Sequence, residues 1–149
     1  MKVFGEKGLG SILKNFLQII FVLIIVSLIS MPFVLQSAKV FIFYPNAICV
    51  LAIMYQFIDL FNLLKLENPF CERTEKLLKR ASIASLASAI ILFIQTLYEI
   101  ILAKTNDIFI ILVLFFMVIL FTGVAIALYM LKELFSKATK YKKENDLTI

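Results

Sequence analysis

Four long windows without a charged residue constrain this chain more than any other feature of its sequence. They contain 24, 19, 18 and 24 residues and cover residues 15–38, 40–58, 81–98 and 108–131. An apolar helix needs about 20 residues to cross the hydrocarbon core of a bilayer. The chain is also 62% hydrophobic and 17% charged, whereas soluble domains are roughly 45–50% apolar and about 25% charged. The windows therefore predict four membrane-spanning helices.

These windows predict an all-α fold, an integral membrane four-helix bundle of up-down-up-down topology. We place the spans at about 15–38, 45–64, 81–102 and 108–131, with a loop at 65–80 and a tail at 132–149. Four spans use most of the 149 residues, so a single transmembrane domain is expected. The first window is longer than the apolar part of a signal peptide, about 7–15 residues, and is expected to be a retained helix.

The distribution of lysine and arginine predicts the orientation. Three of these residues precede the first span, five lie in the loop 65–80 and five follow the fourth span. The two remaining turns hold one each, Lys39 and Lys104. Positive residues concentrate on the cytosolic side of membrane proteins. Both termini and the loop 65–80 are therefore expected to face the cytosol.

The loop 65–80 contains a helix-start signal. Asn68 is a residue type that caps free N–H groups, and Pro69 suits the first helical position. Glu72 and Glu75 suit the positive end of the helix dipole. These residues predict a helix that starts at Asn68 and runs without a break into the third span.

The tail 132–149 is expected to continue the fourth helix into water. Five lysines cover it, and Leu134 and Phe135 are expected on the membrane surface. Residues 144–146 are expected to end the helix. From Leu147 we expect an extended end that can pack on the turn at Phe70, either as a contact within the chain or as the site of a partner.

Small residues in the third and fourth spans predict where helices pack. In lipid, small side chains let helix backbones approach and gain van der Waals contact. Ser85 and Ala89 belong to a small-residue face of the third span, which we place at the centre of the bundle. Gly123 and Ala127 have the small-xxx-small spacing in the fourth.

Pro32 lies late in the first span and leaves one carbonyl of the preceding turn without its usual donor. Membrane helices satisfy such groups through neighbouring side chains. We expect Ser27 or Ser30 to do so.

The candidate polar residues within the predicted spans are the two acids, Asp59 and Glu99, and two glutamines, Gln56 and Gln95. Asp59 and Glu99 belong near opposite faces of the bilayer, so they cannot act on the same substrate atom. The chain has no histidine, the usual general acid or base, and no metal or cofactor motif. We expect a non-enzymatic protein without cofactors. Asp59 is interpreted as structural, with Gln56 beside it, and Glu99 as an outer-boundary residue.

Two short motifs resemble a known family. Asn-Pro-Phe at 68–70 opens the basic helix, and Glu-Asn-Asp-Leu-Thr-Ile closes the chain at 144–149. The chain resembles small bacterial four-span membrane proteins of unknown function that carry a Gly/Asn-Pro-Phe turn and an acidic-Asn-Asp-Leu-Thr ending. Such proteins are often encoded beside a small helix-turn-helix regulator, and no defined reaction is associated with them. The resemblance implies partner-binding roles for Asn68, Pro69, Phe70, Asn145, Asp146 and Leu147.

The leading functional prediction is therefore a membrane-anchored partner of a small cytosolic regulator, located in the bacterial cytoplasmic membrane. Its net charge of +5 is explained by the lipid bilayer, so direct nucleic-acid binding is not expected. One alternative is an accessory or immunity-type subunit of a larger membrane or transporter complex. Another is a small carrier that works as an oligomer, with Asp59 at a subunit interface.

Overall fold

The chain folds into four α-helices. The computed structural model describes residues 9–35, 43–65, 71–102 and 107–147. The helices are α1 (Leu9–Leu35), α2 (Tyr44–Lys65), α3 (Glu72–Ile101) and α4 (Ile108–Leu147). Each contains a stretch long and apolar enough to cross a membrane, and the described ranges contain no strand. The predicted class, an all-α four-helix membrane bundle, is confirmed.

The helices pack in chain order, and α3 lies in the middle of the packing. α1 contacts α2, α2 contacts α3, and α3 packs most extensively against α4. Both interfaces of α3 are antiparallel, as four pairs of neighbouring residues show: Asn46 with Ser88, Asp59 with Arg73, Phe121 with Ser85, and Lys143 with Glu72.

α3 begins at Glu72, four residues later than the predicted start at Asn68. Cys71 has the extended backbone of an N-cap residue (φ −137°, ψ 158°). Its carbonyl accepts a hydrogen bond from the Thr74 N–H at 3.1 Å. Glu72 and Glu75 lie in the first turn, as predicted, where the helix dipole favours negative charge.

Pro32 lies inside α1 and has no N–H to donate to the carbonyl four residues earlier. That carbonyl belongs to Leu28, and the hydroxyl of Tyr44 at the start of α2 donates to it at 2.5 Å. The expectation that Ser27 or Ser30 satisfies this carbonyl is wrong, because the Ser30 hydroxyl donates to the carbonyl of Ser27 at 3.1 Å. A proline in one helix is thus compensated by a tyrosine of the next.

The packed face of α3 is rich in serine. Three serines donate hydrogen bonds to neighbouring helices: Ser82 to the Ala125 carbonyl (2.9 Å), Ser85 to the Phe121 carbonyl (2.9 Å), and Ser88 to the side-chain oxygen of Asn46. A short side chain lets the backbones approach closely enough for such bonds. Towards the start of α3, the buried residues Leu78, Ala81 and Leu128 form an apolar cluster between α3 and α4.

α3 and α4 both extend beyond their predicted spans at the same end of the bundle. α4 has 40 residues, which corresponds to about 60 Å of helix, twice the roughly 30 Å of a bilayer core. We call the paired extensions, residues 72–80 of α3 and 132–147 of α4, the basic hairpin.

A basic helical hairpin as candidate docking site

The two halves of the basic hairpin pack against each other through buried side chains. Thr74 is fully buried, and Leu77, Leu78 and Thr139 are also buried. Phe135 packs on the apolar cluster around Leu78. The hairpin is therefore a folded extension of the α3–α4 pair and not a loop and a tail that act separately.

An ion pair joins the two halves of the basic hairpin near its far end. The Nζ of Lys143 donates to Oε1 of Glu72 at 2.8 Å. The hydrogen bond and charge of Lys143 lower the pKa of Glu72 below its ordinary value. The same contact raises the pKa of Lys143. Both side chains are about two-thirds exposed, so this contact contributes little to stability.

A second charged contact lies where α4 leaves its predicted span. Lys132 donates to Oε1 of Glu133 at 2.6 Å, and its Nζ lies 5.3 Å from the centre of the Tyr129 ring. The hydrogen bond to Glu133 raises the pKa of Lys132.

The basic hairpin presents a strongly charged surface. It carries nine lysines and arginines and five aspartates and glutamates. A polar groove runs between its halves and is lined by charged and hydroxyl side chains: Glu72, Glu75, Lys76, Ser136, Thr139, Lys140 and Lys143. Within the described ranges, no three His, Cys, Asp or Glu residues are grouped so as to hold a metal ion. The basic hairpin therefore carries a net positive charge.

The predicted partner-binding motifs are only partly within the described residues. Asn68, Pro69 and Phe70 lie outside them, and so does the predicted contact of the chain end with Phe70. Asn145 is exposed in the last turn of α4. Asp146 and Leu147 are helical, with side chains outside the description. Leu147 was expected to be extended. The helix continues through it instead, since no glycine or proline interrupts residues 132–147.

Leu134 and Phe135 have different environments, although both were expected on the membrane surface. The prediction is wrong for Phe135, which packs inward on the cluster of α3 and α4. Leu134 is 62% exposed. Neighbouring residues on a helix point about 100° apart, so one of the two can be buried while the other is not.

The predicted intramembrane residues are dispersed through the bundle. Asp59 on α2 forms an ion pair with Arg73 of α3, with 3.5 Å between its Oδ2 and the Arg73 guanidinium. Gln56 lies one turn earlier, and its buried Oε1 has no hydrogen-bond partner among the described residues. Gln95 is buried on α3 and Glu99 is half-buried one turn later. The Arg73 contact was missed because no local pattern links residues on different helices.

The four predicted packing residues divide into two pairs. Ser85 and Ala89 are buried in the packed face of α3. Gly123 and Ala127 lie on an exposed face of α4, and a Cβ added at Gly123 would meet nothing within 4 Å. Sequence analysis missed Asn46, the side-chain partner of Ser88 on α2. The sequence did contain a signal for this residue, because Asn46 directly follows a proline at the predicted start of the second span.

Comparison with known families supplies the classification. A family model described as "Protein of unknown function (DUF2975)" matches residues 30–149. The chain belongs to this family. No curated protein and no solved structure matches the chain.

The segment shared with DUF2975 contains all of α2, α3 and α4, together with the last turn and a half of α1. It therefore includes the whole basic hairpin. This DUF2975 member is a multi-pass membrane protein by the number and composition of its helices.

Proposed function

We propose that this DUF2975 protein is a non-enzymatic, membrane-anchored binding protein of the bacterial cytoplasmic membrane. Its basic hairpin docks a small cytosolic regulator of the helix-turn-helix class. The observation that carries the proposal is that residues 72–80 and 132–147 form one packed hairpin beyond the predicted spans, tied by the Lys143–Glu72 contact. Two segments that flank different spans thus form a single surface, which a partner can recognise as a unit.

The charge distribution supports the cytosolic side for this surface. Thirteen of the fifteen lysines and arginines lie in the three segments predicted to face inward. If the basic hairpin faced the outside of the cell, nine of these residues would lie on the side where lysine and arginine are usually less frequent. The resemblance to proteins encoded beside helix-turn-helix regulators supports the class of partner.

The test measures recruitment of a helix-turn-helix protein encoded next to this chain. The protein is fluorescently labelled and its binding to membranes that contain the full chain is measured by sedimentation. Lys76→Glu with Lys140→Glu reverses two charges of the groove, and we expect at least a tenfold loss of recruitment. Lys14→Glu reverses a charge on the same predicted side but outside the hairpin, so it should leave recruitment unchanged. Full recruitment by the double variant would contradict the proposal.

An accessory subunit of a larger membrane complex is the second candidate, favoured by the exposed pair Gly123 and Ala127. Small-xxx-small spacing on an exposed face is typical of helices that pack on another membrane helix. Crosslinking in native membranes from Gly123→Cys tests this function. A crosslink to a different membrane protein would support it, whereas the absence of any interchain product would count against it.

A further inference from the structure

Two adjacent cations of α3, Lys79 and Arg80, take part in no ion pair among the described residues. Both side chains are exposed. They lie at the end of the basic hairpin that joins the predicted third span, which begins one residue after Arg80. Two unpaired positive charges therefore stand side by side where α3 enters the membrane.

The acidic residues nearest to these two cations are directed elsewhere. Glu72, Asp59 and Glu133 each form an ion pair with a different cation. Glu75, one turn before Lys79, lines the groove between α3 and α4 and forms no ion pair with Lys79 among the described residues. The two cations are therefore available to an anion from outside the chain.

The two cations lie at the depth of the lipid headgroups and not at the far end of the hairpin. Ser82 of α3 is level with Ala125 of α4, to whose carbonyl it donates. Because the two helices are antiparallel, the cations are level with residues 127–128 of α4. These positions are about 6 Å along the helix from Lys132, the first charged residue after the fourth window. The headgroup region is about 5–8 Å thick on each side of the hydrocarbon core, so both cations can reach it.

An apolar stripe continues from the two cations into the membrane. Ile83 is four residues after Lys79 and three after Arg80, so it neighbours both. Ile90 and Ile94 follow on the same face, seven and eleven residues after Ile83. The three isoleucines are 58%, 54% and 60% exposed and belong to the third charge-free window. We call the two cations and the three isoleucines the amphiphilic stripe.

We propose that the amphiphilic stripe binds an anionic phospholipid. Its phosphodiester accepts hydrogen bonds from the Arg80 guanidinium and the Lys79 ammonium group, and one acyl chain lies along the isoleucines. A guanidinium matches two oxygens of one phosphate, and the ionic hydrogen bonds are stronger than neutral ones. A zwitterionic lipid offers the same phosphate together with a cation, which Lys79 and Arg80 repel. The stripe therefore selects lipids with a net negative charge, and this inference does not depend on the regulator.

The composition of the stripe favours a lipid over a second membrane helix. Membrane helices pack closely through small residues, whereas three isoleucines occupy the apolar part of this face. A soluble anion or a cytosolic protein does not reach these isoleucines, because they lie within the predicted span. A phospholipid has both a phosphate for the cations and a hydrocarbon chain for the isoleucines.

The test compares phosphatidylglycerol with phosphatidylcholine. Binding of each lipid to the full chain in detergent micelles is measured by native mass spectrometry. We expect phosphatidylglycerol to bind at least fivefold more tightly. Lys79→Gln together with Arg80→Gln should remove most of this preference, because cations near the membrane surface provide the attraction to anionic lipids. Equal binding of the two lipids to the unmodified chain would overturn the proposal.

A matched pair of substitutions separates the stripe from general electrostatic attraction. Lys137→Gln together with Lys140→Gln removes the same charge from two exposed positions of α4 farther from the predicted span. This control should change the preference for phosphatidylglycerol less than twofold. Equal losses in the two double variants would overturn the assignment to Lys79 and Arg80. All four side chains are exposed, and unchanged circular dichroism verifies that the variants fold.

Two further measurements identify what occupies the stripe. Glycerol phosphate, the headgroup chemistry without acyl chains, should not displace bound phosphatidylglycerol. Full displacement at equal concentration would show that the cations bind a soluble phosphate and would overturn the lipid assignment. Crosslinking from Ile90→Cys in native membranes should give no adduct with another protein. Such an adduct would show that a helix covers the stripe in place of lipid.

Discussion

α1 and α3 are both long apolar helices, but α3 packs between two neighbouring helices and α1 packs on one. None of the most apolar window of α1 is buried, against 44% of the window of α3. α3 touches α2 and α4, whereas α1 packs on α2. The window of α1 is nevertheless the more hydrophobic of the two.

The difference shows that hydropathy does not determine which membrane helix is central. Lipid tails are as apolar as leucine, so a leucine-rich helix gains little by leaving lipid for protein. α3 has serines and alanines that allow close approach and hydroxyls that donate to neighbouring helices. α1 is joined to α2 by the bond from Tyr44 to the carbonyl of Leu28, which exists because Pro32 leaves that carbonyl without its helical donor. The predictions that follow test this contrast.

Ser85→Leu should produce the largest effect, because Ser85 is fully buried between α3 and α4. A larger side chain there forces the helices apart, and overpacking of this kind costs about 1–3 kcal/mol. Steric-trapping measurements of the free energy of unfolding in micelles check this. Ala127→Leu is the control, since it adds a bulkier side chain on an exposed face of α4 and should cost much less. Similar losses in both variants would mean that the packed face is not where the structure places it.

Tyr44→Phe should weaken the contact between α1 and α2. It removes the donor to the Leu28 carbonyl, and such bonds in membranes contribute about 0.6–1.7 kcal/mol. In a Pro32→Ala background the helix regains its own N–H donor, so the cost of Tyr44→Phe should fall towards zero. A double-mutant cycle, measured as the free energy of unfolding in micelles, gives this coupling. Additive effects of the two substitutions would rule out the compensation.

The class of fold could be predicted from the sequence because it depends on the lengths of the apolar windows and on the number of charged residues. Window lengths and charge counts decide how many helices cross the bilayer. The small residues of α3 also identified the central helix. The rotation of each helix could not be predicted, since lipid-facing and packed faces are both apolar. Gly123 and Ala127 have the spacing of a packed pair, yet they point away from α3.

The candidate site was predictable only in outline. The charge count predicts that the loop 65–80 and the tail 132–149 lie on one side of the membrane. It cannot give the register at which they meet, because the contact between Glu72 and Lys143 joins residues 71 positions apart. The same applies to the contact between Tyr44 and Leu28. Every residue has a backbone carbonyl, so the identity of a residue does not show that its carbonyl accepts a bond from another helix.

Asp59→Asn should weaken the contact between α2 and α3. No comparable ion pair is found among the described residues of α1. The ion pair with Arg73 spans 3.5 Å, with side chains 24% and 66% exposed, and partly exposed pairs contribute roughly 0.2–1 kcal/mol. A cycle with Arg73→Gln, measured by unfolding in micelles at low and high salt, gives the coupling. The single variant Glu75→Gln removes a charge of the same helix that faces the groove with α4 and is the control. A coupling energy of zero at low salt would show that the pair is not formed.

The smallest expected effect is a pH dependence at the far end of the basic hairpin, for which α1 serves as an internal reference. Lys143 lowers the pKa of Glu72 below its ordinary 4.5, so this contact stabilises the hairpin above that pH. The stabilisation is lost as the pH falls through the lowered pKa of Glu72. The raised pKa of Lys143 matters only under strongly basic conditions, because its ammonium group stays charged until the pH passes that pKa.

Acidification should therefore increase hydrogen exchange at the amides around Lys143, after correction for intrinsic rates. α1 has no acidic residue between positions 9 and 35, so its protection should not change over the same range. Glu72→Gln removes this titrating group and should reduce the response to acid around Lys143. An equal response to acid in wild type and Glu72→Gln would assign the change to other carboxylates. A response in α1 would show that the whole bundle, and not the hairpin alone, loosens in acid.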